Sequence, residues 1–496
     1  MKREVEKAID SLQNEKSAGP DGINSELLKI AKENLIEPLT DLFNQILEKE
    51  TVPAQWLTST IILLFKKGST ANINDYRPIT LTSNIYKCFA KVILARIAPT
   101  LDEQQPVEQA GFRKGFSTSD HLHVMQQLIE KTNEYPQPLY IAFIDFTKAF
   151  DSIEHCYLWE ALYKDKIEPK YIALLKHIYD HSSATIKLDQ SGPKFNIEKG
   201  VKQGDSISPK LFNSVLEHIF KKCNWQKKGI NINGKYMSNI RFADDIALFA
   251  STKEELQDML SEINIECNKV GLYINKKKTK VMYNTAEILQ IQLEGETLET
   301  VNDFIYLGRS LSFQNNESEE INRRIANTWK RFWQLKHIFK NKRISIKLKS
   351  RAFDTCLLPI LTYGAQTWAL TKKDVLKLKT TQRKIERSML SLRLIEKTTN
   401  KDLRNITKVT DVIRHAKRLK WKWAGHVMRL GDGRWTREVT EWSPRQARRR
   451  RGRPRVRWRD ELEQFSGQGV LWTRLTQYKH IWKRMGEAFA QQWDHL

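Results

Sequence analysis

Two adjacent aspartates interrupt an apolar, strand-forming stretch of this sequence. Asp244 and Asp245 lie in RFADDIALFA (241–250), with apolar residues on both sides. This pattern is typical of a β-hairpin that carries the acidic pair at its tight turn. Because aspartate is common in turns, the stretch taken alone also fits an ordinary surface hairpin with no chemical role.

A third aspartate, Asp145, lies at the end of a separate apolar strand, LYIAFIDF (139–146). An unpaired carboxylate there is costly unless it meets a cation. If this strand pairs beside the hairpin, Asp145 converges with Asp244 and Asp245, and their repulsion raises each pKa unless a divalent metal neutralises them. Mg²⁺ binds through a few carboxylates plus substrate phosphates, and two such ions stabilise the attacking and leaving oxygens of an in-line phosphoryl displacement. The three aspartates therefore predict metal-assisted phosphoryl transfer.

The elements that must position these aspartates alternate between strands and helices. Near the N-terminus we expect helices broken at SAGPDGINSE, with Asn24 or Ser25 as a helix cap. The turn-rich stretch EKGVKQGDSISP (198–209) precedes a further helix. The other predicted elements are a strand over 59–67 and helices over 147–163, 211–223, 252–270 and 319–339.

The chain as a whole is strongly basic. Its 496 residues contain 83 Lys plus Arg and 58 Asp plus Glu, a formal net charge of +25. A surplus of that size indicates nucleic acid as a partner, through phosphate neutralisation and counterion release, with a merely soluble basic surface as the alternative. Residues 401–496 alone hold 24 Lys plus Arg against 10 Asp plus Glu. This segment is therefore a candidate docking surface.

Arginine and tryptophan are interleaved in the same segment, which suits phosphate contact combined with base stacking. The string RGRPR (451–455) resembles the core of an AT-hook, which enters a narrow minor groove, and a nonspecific basic segment is the alternative. The adjacent RRRR run also suggests a nuclear localisation signal. Eight of the 14 tryptophans lie in this segment, at positions 421, 423, 435, 442, 458, 472, 482 and 493.

Several other classes of protein are disfavoured. The length and the 40% hydrophobic content predict two to four domains. No apolar run is long enough to span a bilayer, and the first ten residues do not form a signal sequence, so we expect a soluble intracellular protein without a membrane partner. Five widely spaced cysteines without a CxxC pair indicate a reducing compartment and argue against a zinc module; they are Cys88, Cys156, Cys223, Cys267 and Cys356.

Eight stretches resemble, in order, the motifs of reverse transcriptases of non-LTR (LINE-type, jockey-like) retrotransposons. KSAGPDGINSELLK resembles the extra N-terminal finger motif, WLTSTIILLFKKGSTANINDYRPITL the first finger motif and QAGFRKGFSTSDHL the next. FIDFTKAFDSI, GVKQGDSISPKLFN, FADD, GLYINKKKTKVM and FIYLGRSLS resemble motifs A, B, C, D and E. Single fragments such as ADD are weak signals, whereas this many in family order between about residues 17 and 312 are highly specific.

The resemblance implies an α+β right-hand polymerase. The N-terminal extension and fingers would occupy 1–138, and the palm, an antiparallel sheet with packed helices and interleaved finger elements, 139–312. A helical thumb would follow over 313–400, and a basic Arg/Trp-rich nucleic-acid-binding region over 401–496.

The implied activity is RNA-directed DNA synthesis. The partners would be an RNA template, a DNA primer or target, and dNTPs, with two Mg²⁺ (or Mn²⁺) ions as cofactors and pyrophosphate as the released product. In a retrotransposon this corresponds to target-primed copying of its own RNA. The location would be nuclear, and cytoplasmic together with that RNA.

The resemblance assigns metal binding to the carboxylates of Asp145, Asp244 and Asp245 and to the backbone carbonyl of Phe146. Phe150 matches the steric gate of the family. An aromatic ring under the sugar would clash with a 2′-hydroxyl and so favour deoxynucleotides, although an ordinary core phenylalanine is the alternative.

Further residues match positions that contact the incoming nucleotide. Gln203 and Gly204 match the motif B pair that abuts nucleotide and template, where glycine permits close backbone approach. Lys66, Lys67 and Arg77 match the finger cations that grip the triphosphate. The sequence leaves open which of the two lysines does so, and a solvated charged loop is the alternative.

Lys278 in KKKTK resembles the motif D lysine that serves as general acid to the pyrophosphate. The neighbouring lysines at 276, 277 and 280 leave this assignment open, and a basic surface run is the alternative.

The sequence departs from the family in two respects. No endonuclease-like Glu/Asp/His set precedes the finger motif, so we expect a chain that lacks the N-terminal endonuclease domain. The last 96 residues contain no cysteine, which argues against the Cys/His knuckle of many relatives. Two rival interpretations stay open: a truncated or co-opted remnant that binds nucleic acid without copying it, and a group II intron maturase-like protein.

Overall fold

The structure is a computed structural model that describes residues 1–496 except 67, 288, 315, 445–448, 450–451, 453–454, 468–470 and 493–496. Its strands are β1 (Thr58–Phe65), β2 (Tyr76–Leu81), β3 (Tyr140–Ile144), β4 (Ser183–Lys187), β5 (Ser191–Asn196), β6 (Ile230–Ile232), β7 (Lys235–Met237), β8 (Asn239–Phe242), β9 (Asp245–Ala250), β10 (Lys280–Tyr283), β11 (Gln292–Leu293), β12 (Glu296–Thr297), β13 (Glu299–Thr300), β14 (Asp303–Tyr306) and β15 (Arg309–Ser312).

Up to residue 269 the described part of the chain forms ten α-helices: α1 (Lys2–Asp10), α2 (Ser25–Ile30), α3 (Lys32–Lys49), α4 (Asn84–Glu103), α5 (Thr118–Glu134), α6 (Ala149–Ser152), α7 (His155–Lys164), α8 (Pro169–Asp180), α9 (Ser208–Lys222) and α10 (Lys253–Lys269). The described part of the second half adds α11 (Asn316–Gln334), α12 (Lys336–Phe339), α13 (Ile346–Ala352), α14 (Leu358–Leu361), α15 (Lys372–Leu390), α16 (Asn400–Thr407), α17 (Val412–Met428), α18 (Trp435–Glu441), α19 (Asp460–Ser466), α20 (Trp472–Leu475) and α21 (Lys479–Gln491).

A five-stranded sheet with the order β13-β10-β3-β9-β8 forms the centre of the fold. Its neighbours pair antiparallel except for the edge strand β13, which pairs parallel with β10. Strand β3 is buried along its whole length because it lies between two partners and is covered on both faces. The α+β architecture expected of a polymerase palm is confirmed, with the addition of one parallel edge strand.

Side chains alternate between the two faces of this sheet. On the first face, Ala142, Ile144 and Leu248 share one core with helices α7 to α10 and with the N-terminal helices α1, α3 and α4. On the second face, Phe143 and Phe249 share a different core with helix α5 and with residues of α18. The strands that carry the predicted acidic residues are therefore fixed from both sides.

A second, four-stranded sheet with the order β2-β1-β4-β5 lies beside the central one. Strand β1 pairs antiparallel with β2 and parallel with β4. The Thr80 N–H of β2 donates a 2.8 Å hydrogen bond to the carbonyl of Gln203, which joins this sheet to the loop at 198–209.

After β15 the regular elements of the described residues are all helical. Helices α11, α13, α15 and the start of α17 enclose one core, which includes a π-helical turn at Phe353–Leu357. The rest of α17 packs with α19, α20 and α21 around a second core rich in tryptophan. Among the described residues no helix combines the length and the apolar character that crossing a bilayer requires.

Most of the predicted elements are present, and Asn24 caps α2 by accepting a 2.9 Å hydrogen bond from the Leu27 N–H. The prediction of one helix over 147–163 is wrong, because α6 ends at Ser152 and α7 begins at His155. Tertiary contacts break the helix: the carbonyl of Ile153 accepts from the Gly200 N–H at 2.7 Å, outside any helical pattern. The helix predicted over 319–339 is likewise divided, into α11 and α12.

The expectation that the C-terminal tryptophans stack on bases is wrong for most of them. Their rings are fully enclosed by protein, so they stabilise the fold and are not available to a ligand. Trp423 is partly buried, and Trp493 lies outside the described residues, as does most of the RGRPR string. The buried rings are those of Trp421, Trp435, Trp442, Trp458, Trp472 and Trp482.

Candidate active site

The acidic pair lies at a two-residue hairpin turn between β8 and β9. Phe242 pairs with Asp245 across the ladder, so the turn consists of Ala243 and Asp244, and Asp245 is the first residue of β9. Ala243 has a φ of 57°, which tight hairpin turns require and which a residue with a Cβ adopts at a cost of about 1–3 kcal/mol. The predicted turn is confirmed, with only one of the two aspartates inside it.

Gln109 holds this turn in place. Its buried side-chain oxygen accepts hydrogen bonds from the backbone N–H groups of Ala243 at 3.0 Å and of Gly111 at 2.9 Å. A Cβ at Gly111 would lie 2.3 Å from the nitrogen of Ala243, so only glycine permits this approach. Sequence reasoning missed both residues, although the QAG of the second finger motif contains them.

Asp145 directly follows β3, next to the hairpin. The ladder between β3 and β9 ends at the pair Ile144 and Ile246, and the same register places Asp145 opposite Asp245. The Asp145 N–H donates to the Thr279 hydroxyl at 3.2 Å. The predicted convergence of the strand and the hairpin is therefore present.

The backbone of Phe146 faces the hairpin. Phe146 forms an antiparallel bridge with Ile274, and the hydrogen bonds of this bridge are made by the flanking residues Thr147 and Asn275. In such a pair the bridging residue directs its own N–H and C=O away from its partner. The Phe146 carbonyl thus points from residue 274 towards the turn that holds Asp244.

The three carboxylates perturb one another. Burial raises the pKa of Asp244, and the charge of Asp145 raises it further, while Arg77 and Lys66 oppose the shift. Burial raises the pKa of Asp245 to about 6, with Asp244 and Asp145 adding to it and Lys66 opposing. These shifts are expected where several carboxylates share one small volume without a cation between them.

Asp145 offers an unsatisfied ligand atom. Its Oδ2 is buried and accepts no hydrogen bond from any residue that the structure describes. Its nearest cation is Lys278, whose Nζ lies 3.3 Å away. Within the described residues no three His, Cys, Asp or Glu side chains already surround one point, so a metal ion would take only part of its ligands from these carboxylates. This donor set fits Mg²⁺, which commonly binds through one or two carboxylates plus substrate phosphates.

Phe150 lies in α6, five residues after Asp145 in the chain. Its ring is partly exposed and stacks on Phe212 at a centroid distance of 4.5 Å and an interplanar angle of 10°. Its carbonyl accepts from the Val201 N–H at 2.6 Å. The packing on Phe212 fixes the ring, and the exposed edge leaves it accessible to a ligand in the cleft.

The loop at 198–209 is tied to the same helix. Gln203 Nε2 donates to Asp151 Oδ1 at 2.7 Å, and sequence reasoning missed the role of Asp151. Gly204 has a φ of 109°, and a Cβ there would lie 3.1 Å from the carbonyl oxygen of Thr80. Glycine is therefore required where this loop meets the four-stranded sheet. Asp151 and Gln203 line one side of a cavity of about 380 Å³.

Two exposed cations, Lys66 and Arg77, lie in or next to the four-stranded sheet. Arg77 lies in β2 opposite Leu64 of β1, and Lys66 directly follows β1. The positive charges of both residues lower the pKa of Asp244, against the raising effect of burial; their role in gripping a triphosphate stays a prediction. Lys67 lies outside the described residues.

Comparison with known proteins fits this geometry. A family model described as reverse transcriptase (RNA-dependent DNA polymerase) matches residues 65–311. A transposon-derived protein of Caenorhabditis elegans is 36% identical over 245 residues, which cover 47% of this chain and 86% of the worm protein. The chain belongs to the reverse transcriptase family. The matched range includes the three aspartates, Phe150 and the loop at 198–209.

Longer relatives are similar over more of this reverse transcriptase. The RNA-directed DNA polymerase from mobile element jockey of Drosophila melanogaster is 24% identical over 395 residues, 75% of this chain and 42% of that protein. The Pol polyprotein of the type-1 retrotransposable element R2 of Nasonia vitripennis is 28% identical over 265 residues, 53% of this chain and 25% of that protein. The chain spans less than half the length of these two relatives, which place it among non-LTR retrotransposon reverse transcriptases.

Among solved structures, a telomerase from Candida tropicalis in complex with a fragment of telomeric RNA is similar to 85% of this chain. The alignment covers 68% of the telomerase chain, with 12% sequence identity and a TM-score of 0.41.

Proposed function

We propose that this reverse transcriptase extends a primer 3′-hydroxyl with dNTPs on an RNA template, as part of target-primed copying of a retrotransposon. The observation that carries the proposal is the convergence of Asp145 with the turn at Asp244 and Asp245, opposite the exposed cations Lys66 and Arg77. Carboxylates on one wall and cations on the other are suited to hold a metal–triphosphate complex between them.

Asp145, Asp244 and the Phe146 carbonyl would hold two Mg²⁺ or Mn²⁺ ions, with Asp245 as an assisting carboxylate. Bound there, the ions supply a deprotonated 3′-hydroxyl and stabilise the charge on the leaving pyrophosphate. The raised pKa of Asp245 supports this assignment, because a bound cation would relieve it. Asp145 Oδ2, which accepts no hydrogen bond from the residues that the structure describes and lies 3.3 Å from the Lys278 ammonium, is already placed beside a positive charge.

The remaining residues would bind and orient the nucleotide. Lys66 and Arg77 neutralise the triphosphate from the finger side, while Gln203 and Gly204 bring the loop at 198–209 against it. The Phe150 ring would exclude a ribose 2′-hydroxyl and so select deoxynucleotides, and its partly exposed ring, held by stacking on Phe212, supports this role. The Lys278 ammonium, which lies 3.3 Å from Asp145 Oδ2, is within reach of the site and would donate a proton to the leaving pyrophosphate.

The partners we propose are an RNA template, a DNA primer or target, and dNTPs. The net charge of +25 supports a polyanionic partner. We propose the nucleus as the site of action, on the basis of the arginine run near residue 450 and of the DNA primer.

Primer extension on an RNA template tests the proposal. Purified protein with dNTPs and Mg²⁺ or Mn²⁺ should make full-length DNA product, and Asp244→Asn should lower the rate by about 100-fold or more, since a metal supplies several kcal/mol of transition-state stabilisation. Asp258→Asn, an exposed aspartate on α10, is the matched control and should leave the rate unchanged.

Two outcomes would contradict the proposal. Binding of primer–template without any product would favour the remnant that binds nucleic acid but does not copy it. Product formation by Asp244→Asn at the parent rate would remove the carboxylates from the mechanism.

A further inference from the structure

Helix α18 closes the second face of the central sheet. Trp435, Val439 and Trp442 lie in the same apolar core as Phe143 of β3 and Phe249 of β9. All five side chains are buried. Strands β3 and β9, which lead to or carry the catalytic aspartates, therefore pack against a segment from the C-terminal region of the chain and against α5.

Buried polar contacts hold α18 in this place. Lys131 of α5 donates hydrogen bonds from its ammonium group to the carbonyls of Val439, Thr440 and Trp442. These are the carbonyls that the end of a helix leaves without an intrahelical partner, and a cation there also interacts favourably with the helix dipole. His123 Nε2 lies 2.8 Å from the Thr440 hydroxyl, and the pKa of His123 is lowered to about 3 by burial, so this contact is between neutral groups.

Residues at the start of α18 contact the segment at 106–120, which leads into α5. Arg434 donates to the Gly115 carbonyl at 2.6 Å, and its guanidinium lies 3.6 Å from the centre of the Phe116 ring. Trp435 Nε1 donates to the carboxylate of Glu108 at 2.8 Å. The cation on an aromatic face and the charge-assisted hydrogen bond are both stronger than average contacts.

The same segment at 106–120 is hydrogen-bonded to the β8–β9 hairpin that carries Asp244. The carbonyl of Glu108 accepts from the Arg241 N–H at 2.8 Å, and the Ala110 N–H donates to the Arg241 carbonyl at 2.9 Å. Between these two residues lies Gln109, the side chain that accepts from the strained Ala243. A continuous series of hydrogen bonds thus runs from Trp435 through residues 108–110 to the residue before Asp244.

We propose that α18 is part of the catalytic core and that Trp435 is a positioning residue for the Asp244 turn. A strained turn persists only where its surroundings over-determine it, and the contact from Trp435 to Glu108 is one of those constraints. The C-terminal region is therefore required for polymerisation itself, in addition to any role in binding nucleic acid. The inference rests on the proposed polymerase function for its kinetic test, and on the structure alone for a second, independent test.

The kinetic test uses the full chain with Trp435→Phe, which keeps an aromatic ring in the core and removes the indole N–H together with part of the ring volume; the matched control, Trp482→Phe, makes the same change of volume elsewhere. We expect kcat to fall by about three- to tenfold, which corresponds to about 0.7–1.4 kcal/mol, because one of the hydrogen bonds that help to place the turn is lost. The Mg²⁺ concentration for half-maximal rate should rise. The KM for dNTP and the dissociation constant for primer–template should stay within about twofold.

Trp482→Phe is the matched control. Trp482 is a buried tryptophan of the same C-terminal region, and its indole N–H donates to the Trp421 carbonyl at 2.9 Å. It belongs to the core formed by α17, α19, α20 and α21, not to the core behind the central sheet. Both substitutions remove one buried indole hydrogen bond, but only Trp435→Phe removes a link to the hairpin. Equal kinetic effects of the two substitutions would overturn the proposal.

Glu108 provides a second route to the same contact if Trp435→Phe does not fold. Glu108→Gln keeps an acceptor oxygen and should retain the parent kcat, whereas Glu108→Ala should reproduce the fall. Adding Trp435→Phe to Glu108→Ala should cause no further loss, because the two changes remove one interaction. Additive losses would contradict the assigned contact.

Hydrogen exchange of the Ala243 amide is the test that does not need activity. This amide is held by Gln109, so Trp435→Phe should speed its exchange several-fold and Trp482→Phe should not. If the parent protein makes no DNA, the proposed function fails while this measurement still decides the inference. Unchanged exchange at Ala243 in Trp435→Phe would refute it.

Discussion

Asp245→Asn should stabilise the metal-free protein while removing a carboxylate from its active site. In the folded chain the pKa of Asp245 is raised from 3.8 to about 6, chiefly by burial and then by the charges of Asp244 and Asp145. That span corresponds to an unfavourable free energy of about 3 kcal/mol. Because Asp245 is surrounded by protein atoms but still exposes part of its side chain to solvent, screening reduces the figure to about 1 kcal/mol.

The sign of the pH dependence follows from the raised pKa. The stabilising contribution of the protonated carboxyl is fully present below pH 3.8 and is lost as the pH rises through 6. At pH 8 the Asp245 carboxylate of the parent is ionised, so the parent bears the full unfavourable free energy. The neutral amide of Asp245→Asn does not. The advantage of Asp245→Asn should shrink as the pH falls from 6 to 4.

Thermal unfolding in excess EDTA measures the effect. For a cooperative unit of the size of the palm and fingers, about 1 kcal/mol corresponds to an increase in Tm of about 2 °C at pH 8. Added Mg²⁺ should raise the Tm of the parent and raise that of Asp245→Asn less. Asp258→Asn is the control for loss of a carboxylate elsewhere. An unchanged or lower Tm for Asp245→Asn at pH 8 in EDTA would show that the three carboxylates do not crowd one another.

Two further substitutions probe the nucleotide site. Phe150→Ala should increase ribonucleotide incorporation relative to deoxynucleotide incorporation by about tenfold or more, since a steric clash of about 1–3 kcal/mol is removed; Phe150→Tyr keeps the ring, and an equal increase in both variants would reject the gate. Gly204→Ala should raise the KM for dNTP by about five- to tenfold, because it adds left-handed strain of about 1–2 kcal/mol and a 3.1 Å contact to the Thr80 carbonyl. Gly234→Ala, which adds similar strain in open space, should leave that KM unchanged, and a matching rise would trace the effect to stability alone.

The strand before Asp145 and the hairpin at Asp244 could be predicted because each is encoded by the residues immediately around it. The apolar run before Asp145 and the alternation around Asp244 define a strand and a hairpin, and the order of the motifs indicates that the two pair. The turn at 243–244 follows from the same short-range pattern, whereas Lys66 and Arg77 were assigned only through the family resemblance. Each of these features lies within about ten residues of its signal.

Features that depend on distant partners were not predictable. Gln109 supports a turn more than a hundred residues away, and nothing in its own neighbourhood marks it. The helix break at Ile153 depends on Gly200, which approaches from another loop. An aromatic residue in a basic segment has the same local pattern whether it stacks on a base or fills a core, so the burial of Trp458 and Trp472 could not be read from the C-terminal sequence.

The buried tryptophans also change how the C-terminal region must be studied. Removal of residues 440–460 to test nucleic-acid binding would take Trp442 out of the core behind the palm and Trp458 out of the helical core. A loss of binding in such a deletion would report unfolding. Substitution of exposed arginines, such as Arg455, leaves both cores intact and isolates the charge.

The position of α18 has a consequence for how the chain is made. Strands β3 and β9 leave the ribosome long before residue 435, so the apolar face formed by Phe143, Ala247 and Phe249 has no complete cover during most of synthesis. Contacts of such large sequence separation also form slowly after synthesis ends. A product that stops short of α18 keeps this face exposed to chaperones and proteases. Only a chain translated past α18 can complete the core on the second face of the central sheet, so the support of the catalytic strands depends on residues made long after the strands themselves.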